Sequence, residues 1–200
     1  MAFPQRIAIA SRNAHKLEEI ARICVDWPVT WLTFGDYRGE WPDVEETGAT
    51  YLENAILKAR AVASATGVAA LADDSGIEVD ALGGKPGPRS ARYAGADASD
   101  ERNLLALIGA IAGVPASGRT ARYRCVAVLA LPDGSEIHTE QACEGALISK
   151  PRGSRGFGYD PIFVPEGWDR TMAELDPAEK DRISHRGRAL RALRELLHEG

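Results

Sequence analysis

Two adjacent carboxylates, Asp73 and Asp74, follow the apolar run Val68-Ala69-Ala70-Leu71-Ala72 and lead into Ser75-Gly76. Apolar runs of this kind become buried strands, and the end of such a strand is where α/β proteins place their chemistry. Neighbouring acids repel each other, so a divalent cation or a lysine must offset them. The same residues also suit an ordinary polar turn, because Asp, Ser and Gly tolerate turn geometry.

Other clusters bear on that choice. Ser11-Arg12-Asn13-Ala14-His15-Lys16 follows a first apolar segment. With Asn13 as N-cap, Lys16 falls at the third helical position, where a cation opposes the helix dipole. The position becomes sensible if a phosphate sits there, held by the lysine and the free backbone N–H groups together. No Walker A pattern is present, and an exposed lysine beside a capping Asn is the plain alternative. Glu45-Glu46-Thr47-Gly48 with Lys58 adds a carboxylate and a second lysine, as a metal–triphosphate site requires. Acids before a helix and a snorkelling lysine read the same way for structural reasons alone.

Gly153 to Phe163 interleaves glycines with aromatics. That suits a loop whose backbone approaches a flat ligand while a ring stacks on it, or a bulge with aromatics such as Phe163 in the core. In Glu179 to Arg186 the cations His185 and Arg186 occupy the first turn of a helix, where an electron-rich partner such as a carbonyl oxygen would explain them. Solvation of an ordinary surface pair is the simpler account.

The elements that must position these residues alternate between helix and strand. Arg6 to Ala10 reads as a strand. Leu17, Ile20, Ala21 and Cys24 form a helical stripe, and a strand follows near Val29 to Leu32. A polar loop over 35–48 precedes Thr50-Tyr51-Leu52-Glu53, a capping box for a helix with Leu52, Ala55, Ile56, Ala59 and Ala63 on one face. The acidic turn and a short strand at Ile77 to Val79 lead into a Gly/Pro-rich loop over 83–88. A helix over 103–111 comes next, then strands over 122–131 and 136–142 joined by Pro132-Asp133-Gly134-Ser135, a hairpin signal. Ser184 caps a closing helix with Ala189, Leu190, Leu193 and Leu197 on its apolar face. This order predicts an α/β chain with a mixed sheet and helices around it.

Two hundred residues make a single domain over 1–200, or one body with two lobes. A net charge of −5 without a basic tail argues against a nucleic-acid partner. Cys24, Cys125 and Cys143 form no Cys-x-x-Cys pair, so neither zinc nor a disulfide framework is expected. The N-terminal segment Met1 to Arg6 has no apolar h-region, and no segment reaches membrane-spanning length. A soluble cytoplasmic protein with no membrane partner is expected.

Taken together, six segments closely resemble, in order, the inosine/xanthosine triphosphate pyrophosphatase family over about residues 7 to 196. They are Ser11-x-Asn13-x-x-Lys16, Glu46-Thr47-Gly48 with Glu53-Asn54-Ala55, Ala72 to Gly76, Pro86-Gly87 with Ser90 to Gly95, Gly156 to Pro161, and Ser184-His185-Arg186. The resemblance implies an ITPase-like fold: a long mixed central β-sheet flanked by helices, in two lobes with a nucleotide cleft between them. It implies Mg²⁺-dependent hydrolysis of ITP, dITP and XTP to the monophosphate and pyrophosphate, by a homodimer. Carried over by motif, Ser11, Arg12, Asn13, Ala14, His15 and Lys16 would hold the triphosphate, and Lys58 would add charge. Asp74 would bind the metal and serve or position the base for the attacking water, with Glu46 as second acid, or Glu45 if the loop is shifted by one. Ser75 would touch the nucleotide. Phe157, Gly158, Tyr159 and Asp160 would border the base, and Lys180, His185 and Arg186 would read its edge. A 6-keto acceptor facing those donors would separate hypoxanthine and xanthine from adenine. Arg12 and His15 make the phosphate loop bulkier and more cationic than the Gly-bearing versions common in the family. A Maf-like pyrophosphatase acting on other bases and a non-catalytic nucleotide sensor are the alternatives.

Overall fold

Alternating hydrophobic runs place strands and helices largely where local chemistry calls for them. The computed structural model describes residues 3–198. Met1 and Ala2 of the N-terminal segment, and the last two residues of the expected 1–200 domain, lie outside the described residues. The strands are β1 (Arg6–Ile9), β2 (Thr30–Leu32), β3 (Ala69–Val79), β4 (Lys85–Pro86), β5 (Thr120–Ala130), β6 (Glu136–Leu147) and β7 (Phe163–Pro165). The helices are α1 (Ala14–Ile23), α2 (Tyr51–Thr66), α3 (Asp100–Ala110), α4 (Pro177–Ile183) and α5 (His185–His198). The sheet order is β2-β1-β3-β5-β6-β7, with β4 added to β3. β1 runs parallel to β2 and β3, whereas β4 on β3 and β7 on β6 are antiparallel, so the sheet is mixed as expected. Among the described residues no helix is long and apolar enough to cross a membrane.

The chain divides into two compact units. One comprises Met1–Asp74, Cys125–Gln141 and Arg186–Gly200, the other Ser75–Arg124 and Ala142–His185. In the first, side-chain alternation along the strands sorts two cores. Ile7, Ile9, Leu71, Cys125, Ala127 and Leu129 face α1 and α5, meeting Ile20, Leu190 and Leu193. Ala8, Ala70, Ala72, Val126 and Val128 face α2, meeting Ala55, Ala59 and Val62. The second unit packs Ile77, Leu107, Tyr123, Phe163 and Met172 into a core of its own.

Local signals account for the helix ends. Asn13 caps α1, its Oδ1 accepting from the Lys16 N–H at 3.2 Å. Thr50 and Glu53 form the reciprocal box that starts α2, and Gly67 ends it at φ 69°. The hairpin turn closes with Leu131 N–H donating to Ser135 O at 2.8 Å. All four expected apolar residues of α5 are buried. Each leucine there contributes roughly 1.5–3 kcal/mol by leaving water.

Two expectations need correction. Ala21 is exposed; the buried side of α1 instead includes Glu19, a charged residue that a hydrophobic stripe does not flag. More consequentially, there is no acidic turn: β3 is a single eleven-residue strand that passes straight through Asp73-Asp74-Ser75-Gly76. Turn propensity is overridden because both carboxylates find cations from the packing helices, which removes the repulsion that would otherwise expel them.

Candidate active site

Because Asp73 and Asp74 are consecutive in a strand, their side chains leave on opposite faces. Asp73 shares the face of Leu71 and meets α1 and α5; Asp74 shares the face of Ala72 and meets α2. One strand thereby gives two equivalent side chains different surroundings.

Asp73 Oδ2 accepts from Arg186 Nη2 at 2.8 Å and Nε at 3.2 Å, and lies 3.1 Å from Lys16 Nζ. Arg186 Nη1 donates to Glu19. Asp73 and Arg186 are both buried. Burial alone would raise the Asp73 carboxyl, but Arg186, Lys16 and Lys58 together pull it well below the usual carboxylate range. Burial likewise disfavours the Arg186 charge, and Asp73 and Glu19 reverse that, so the guanidinium stays protonated.

Asp74 has the opposite balance. Its Oδ2 accepts from Asn54 Nδ2 at 3.2 Å, and its Oδ1 lies 3.4 Å from Lys58 Nζ. Burial raises its proton affinity, Lys58 and Lys16 lower it, Glu46 raises it again, and the net result is a carboxyl above its ordinary value. That is the condition of a carboxylate suited to accept a proton. Lys58 Nζ also reaches Glu46 Oε1 at 2.9 Å and the Asp73 carbonyl oxygen at 2.8 Å. Burial would lower its proton affinity, but Asp74, Glu46 and Asp73 outweigh that and keep it charged.

The loop carrying Glu46 is drawn in by Gly48, whose N–H donates to Asn54 Oδ1 at 2.8 Å. A Cβ at Gly48 would lie 2.6 Å from that oxygen, so the approach requires glycine. Glu46 therefore reaches Lys58, while its neighbour Glu45 is exposed.

The carboxylates of Glu46 and Asp74 both face one cationic atom, Lys58 Nζ. Two hard oxygen donors around one point fit magnesium, which takes one or two protein carboxylates and leaves its other positions to water and phosphate. Among the described residues no group of three or more Asp, Glu, His or Cys forms an all-protein cage. In the phosphate loop, Ser11 Oγ accepts from the Asn13 N–H, and Ala14 and His15 are exposed in the first turn of α1. Arg12 turns toward the 33–50 loop instead: its guanidinium lies 3.5 Å from Asp43, donates to the Trp41 carbonyl at 3.4 Å and stacks over Phe34.

The second unit holds another polar cluster. Asp160 Oδ2 accepts from Lys180 Nζ at 2.5 Å and from the Phe157 N–H at 3.0 Å; its Oδ1 accepts from Tyr123 at 3.1 Å. Gly156 has φ 72°, and a Cβ there would sit 2.0 Å from Asp160 Oδ2, so only glycine lets the loop close over the carboxylate. Lys180 Nζ lies 5.0 Å from the centre of the half-buried Phe157 ring. Gly158 N–H donates to Asp100, and buried Tyr159 donates to the Ser90 carbonyl. His185 stacks on Tyr123, with ring centroids 4.6 Å apart. Ser75 opens this unit as the residue after Asp74 in β3.

Lys16, Lys58, Glu46 and Asp74 thus converge in the first unit, with Arg186, while Phe157, Asp160, Lys180 and His185 gather in the second. Sequence reasoning gave no role to Asn54, Glu19 or Tyr123. Asn54 follows the capping glutamate, and Glu19 lies one turn beyond Lys16, so helix spacing was the available signal for both. Nothing local marks Tyr123.

The model of the Ham1 family matches residues 7–196. The dITP/XTP pyrophosphatase of Streptomyces coelicolor is 49% identical over 195 residues, covering 97% of this chain and 98% of that protein. The dITP/XTP pyrophosphatase of Geobacter sulfurreducens is 47% identical over 192 residues, 96% of each. Among solved structures, a HAM1 protein from Coxiella burnetii superposes with a TM-score of 0.87 at 41% identity over the full length of both chains. The nucleoside-triphosphatase / dITP/XTP pyrophosphatase of Mycobacterium abscessus gives 0.76 at 44% identity, covering 94% of this chain and 98% of that one. With similarity running through the whole chain in both sequence and fold, this protein belongs to the Ham1 family.

Proposed function

We propose that the protein is a nucleoside triphosphate pyrophosphatase that hydrolyses ITP, dITP and XTP to the monophosphate and pyrophosphate, clearing deaminated purines from the nucleotide pool. The observation that carries this reading is the convergence of Lys16, Lys58, Glu46 and Asp74 beside the N-terminus of α1. The names of the relatives agree with it.

Lys16 and the N-terminal end of α1 bind the phosphate chain. Glu46 and Asp74 would hold magnesium, which supplies positive charge against the phosphate oxygens as they gain negative charge. Asp74 orients a water toward the α-phosphorus and accepts its proton; its raised proton affinity suits that task. A new bond forms from water oxygen to α-phosphorus, the bond to the α–β bridging oxygen breaks, and pyrophosphate leaves with the electron pair. Lys58 stabilises charge on this path, while Asp73 and Glu19 position Arg186. In the second unit, Phe157 presents its ring to the base, and Lys180 and His185 offer donors to its 6-keto oxygen; Asp160 fixes Lys180.

We further infer a homodimer working in the cytoplasm. Three free, buried cysteines agree with a reducing compartment. The test is a substrate panel of ITP, dITP, XTP, GTP and ATP with magnesium, measuring pyrophosphate and orthophosphate separately. Pyrophosphate from the deaminated nucleotides, with far slower turnover of ATP, is expected. Orthophosphate release, or equal rates on ATP, refutes the reading. A sensor without turnover shows binding and no product.

A further inference from the structure

The groups of the second unit to which the proposed reaction gives the base share a neighbour that no motif includes. Tyr123 lies in β5, is buried, and touches two of them from one rigid strand. Its hydroxyl donates to Asp160 Oδ1 at 3.1 Å, on the carboxylate whose other oxygen receives Lys180 and the Phe157 N–H. Its ring lies flat against His185, at 4.6 Å and an interplanar angle of 7°. The edge of the same ring region packs on Phe163, at 4.8 Å and 62°.

We infer that Tyr123 is a specificity-setting positioning residue, which fixes the direction of the Lys180 ammonium through Asp160 and the plane of His185 by stacking. This deepens the reading above and rests on it. A carboxylate held at both oxygens has one orientation; held at one, it turns about its terminal torsion and carries its lysine with it. Recognition of a 6-keto acceptor depends on donor direction, because an adenine amino group is rejected only if a donor faces it with no room to turn away. The stacked ring adds a flat support that keeps the imidazole in one plane. Tyr123 acts on the base only through Asp160, Lys180 and His185.

Tyr123→Phe keeps the ring and removes only the hydroxyl. The experiment compares kcat/KM for ITP and ATP on the same preparation, so any unfolded fraction cancels from the ratio. The ITP preference falls about tenfold, the scale of a lost hydrogen bond to a charged group, with KM for ITP carrying the change and kcat nearly constant. Tyr123→Leu removes the support as well and lowers the preference further. In a Lys180→Ala background, Tyr123→Phe leaves the remaining preference unchanged. A purely structural role would scale both substrates together and leave the ratio alone. An unchanged ratio in Tyr123→Phe, or an equal drop with and without Lys180, overturns the inference. Should the parent enzyme release no pyrophosphate from ITP, the proposed reaction falls separately. The ratio of IMP to AMP affinity by calorimetry, parent against Tyr123→Phe, then decides the inference: a fall supports it and an unchanged ratio overturns it.

Discussion

Exchanging either of two adjacent aspartates for asparagine should have opposite consequences. Asp73 is buried between Arg186 and Lys16, with a guanidinium fork on one oxygen. Neutralising it leaves Arg186 buried with Glu19 as its remaining carboxylate partner from this cluster. Removing one member of a buried ion pair costs about 3–5 kcal/mol. With an unfolding entropy near ~2.1 cal/mol/K per residue, a chain of this length loses roughly 7–12 °C in Tm. Asp74→Asn removes instead a carboxylate whose charged form burial disfavours, while Lys58 keeps Glu46 and the Asp73 carbonyl. Its Tm stays level or rises, and turnover is abolished while nucleotide binding survives.

The pH dependence carries its own sign. The Asp73 carboxyl is lowered in the folded state, so its stabilisation is complete above the unfolded value of about 4 and is lost as pH falls below it. The Tm gap between parent and Asp73→Asn must therefore narrow on acidification below that value. The assay is differential scanning calorimetry of both variants at pH 7 and at steps down through pH 4, with pyrophosphate release measured at pH 7. An Asp73→Asn protein melting within about 2 °C of the parent refutes the reasoning. So does an Asp74→Asn protein that melts as low as Asp73→Asn, or that still turns over.

Three further outcomes follow from the geometry. Glu46→Gln should raise the magnesium concentration for half-maximal rate at least ~10-fold, whereas exposed Glu45→Gln should leave it unchanged; a magnesium titration of both variants checks this. Native protein should resist Ellman's reagent at pH 8, because all three thiols are buried and burial pushes Cys24 and Cys125 up to about 12; three equivalents should react in guanidinium. Leu193→Ala should cost ~2–5 kcal/mol in a urea melt, since the side chain is wholly enclosed by the core facing α1 and α5.

Legibility in the sequence followed the range of the interaction. The Asn13 cap, the Thr50–Glu53 box, the hairpin and the apolar side of α5 depend on neighbours within a few residues, so residue type and spacing were enough to foresee them. Lys16 stood out because a cation in the first turn opposes its helix dipole, and Lys58 because a metal–triphosphate site needs a second lysine. Their partners lie 57 and 15 residues away for the Asp73 carbonyl, and no local pattern reports that. The same limit hid the continuity of β3: Asp-Asp-Ser-Gly is a turn on its own terms and becomes a strand only when helices supply cations on both faces. Tyr123 escaped notice for a related reason, since its partner Asp160 is 37 positions distant and an aromatic in a strand reads as core.

The pairing of Arg186 with Asp73 spans 113 positions of chain, and this bears on how the enzyme is made. During synthesis the strand bearing both aspartates emerges first, and Arg186 follows 113 positions later. Until then Asp73 lacks its guanidinium, and Lys16 is left among the cations that offset its charge. Chains interrupted before Arg186 keep Asp73 without that partner and become substrates for quality control rather than working enzyme.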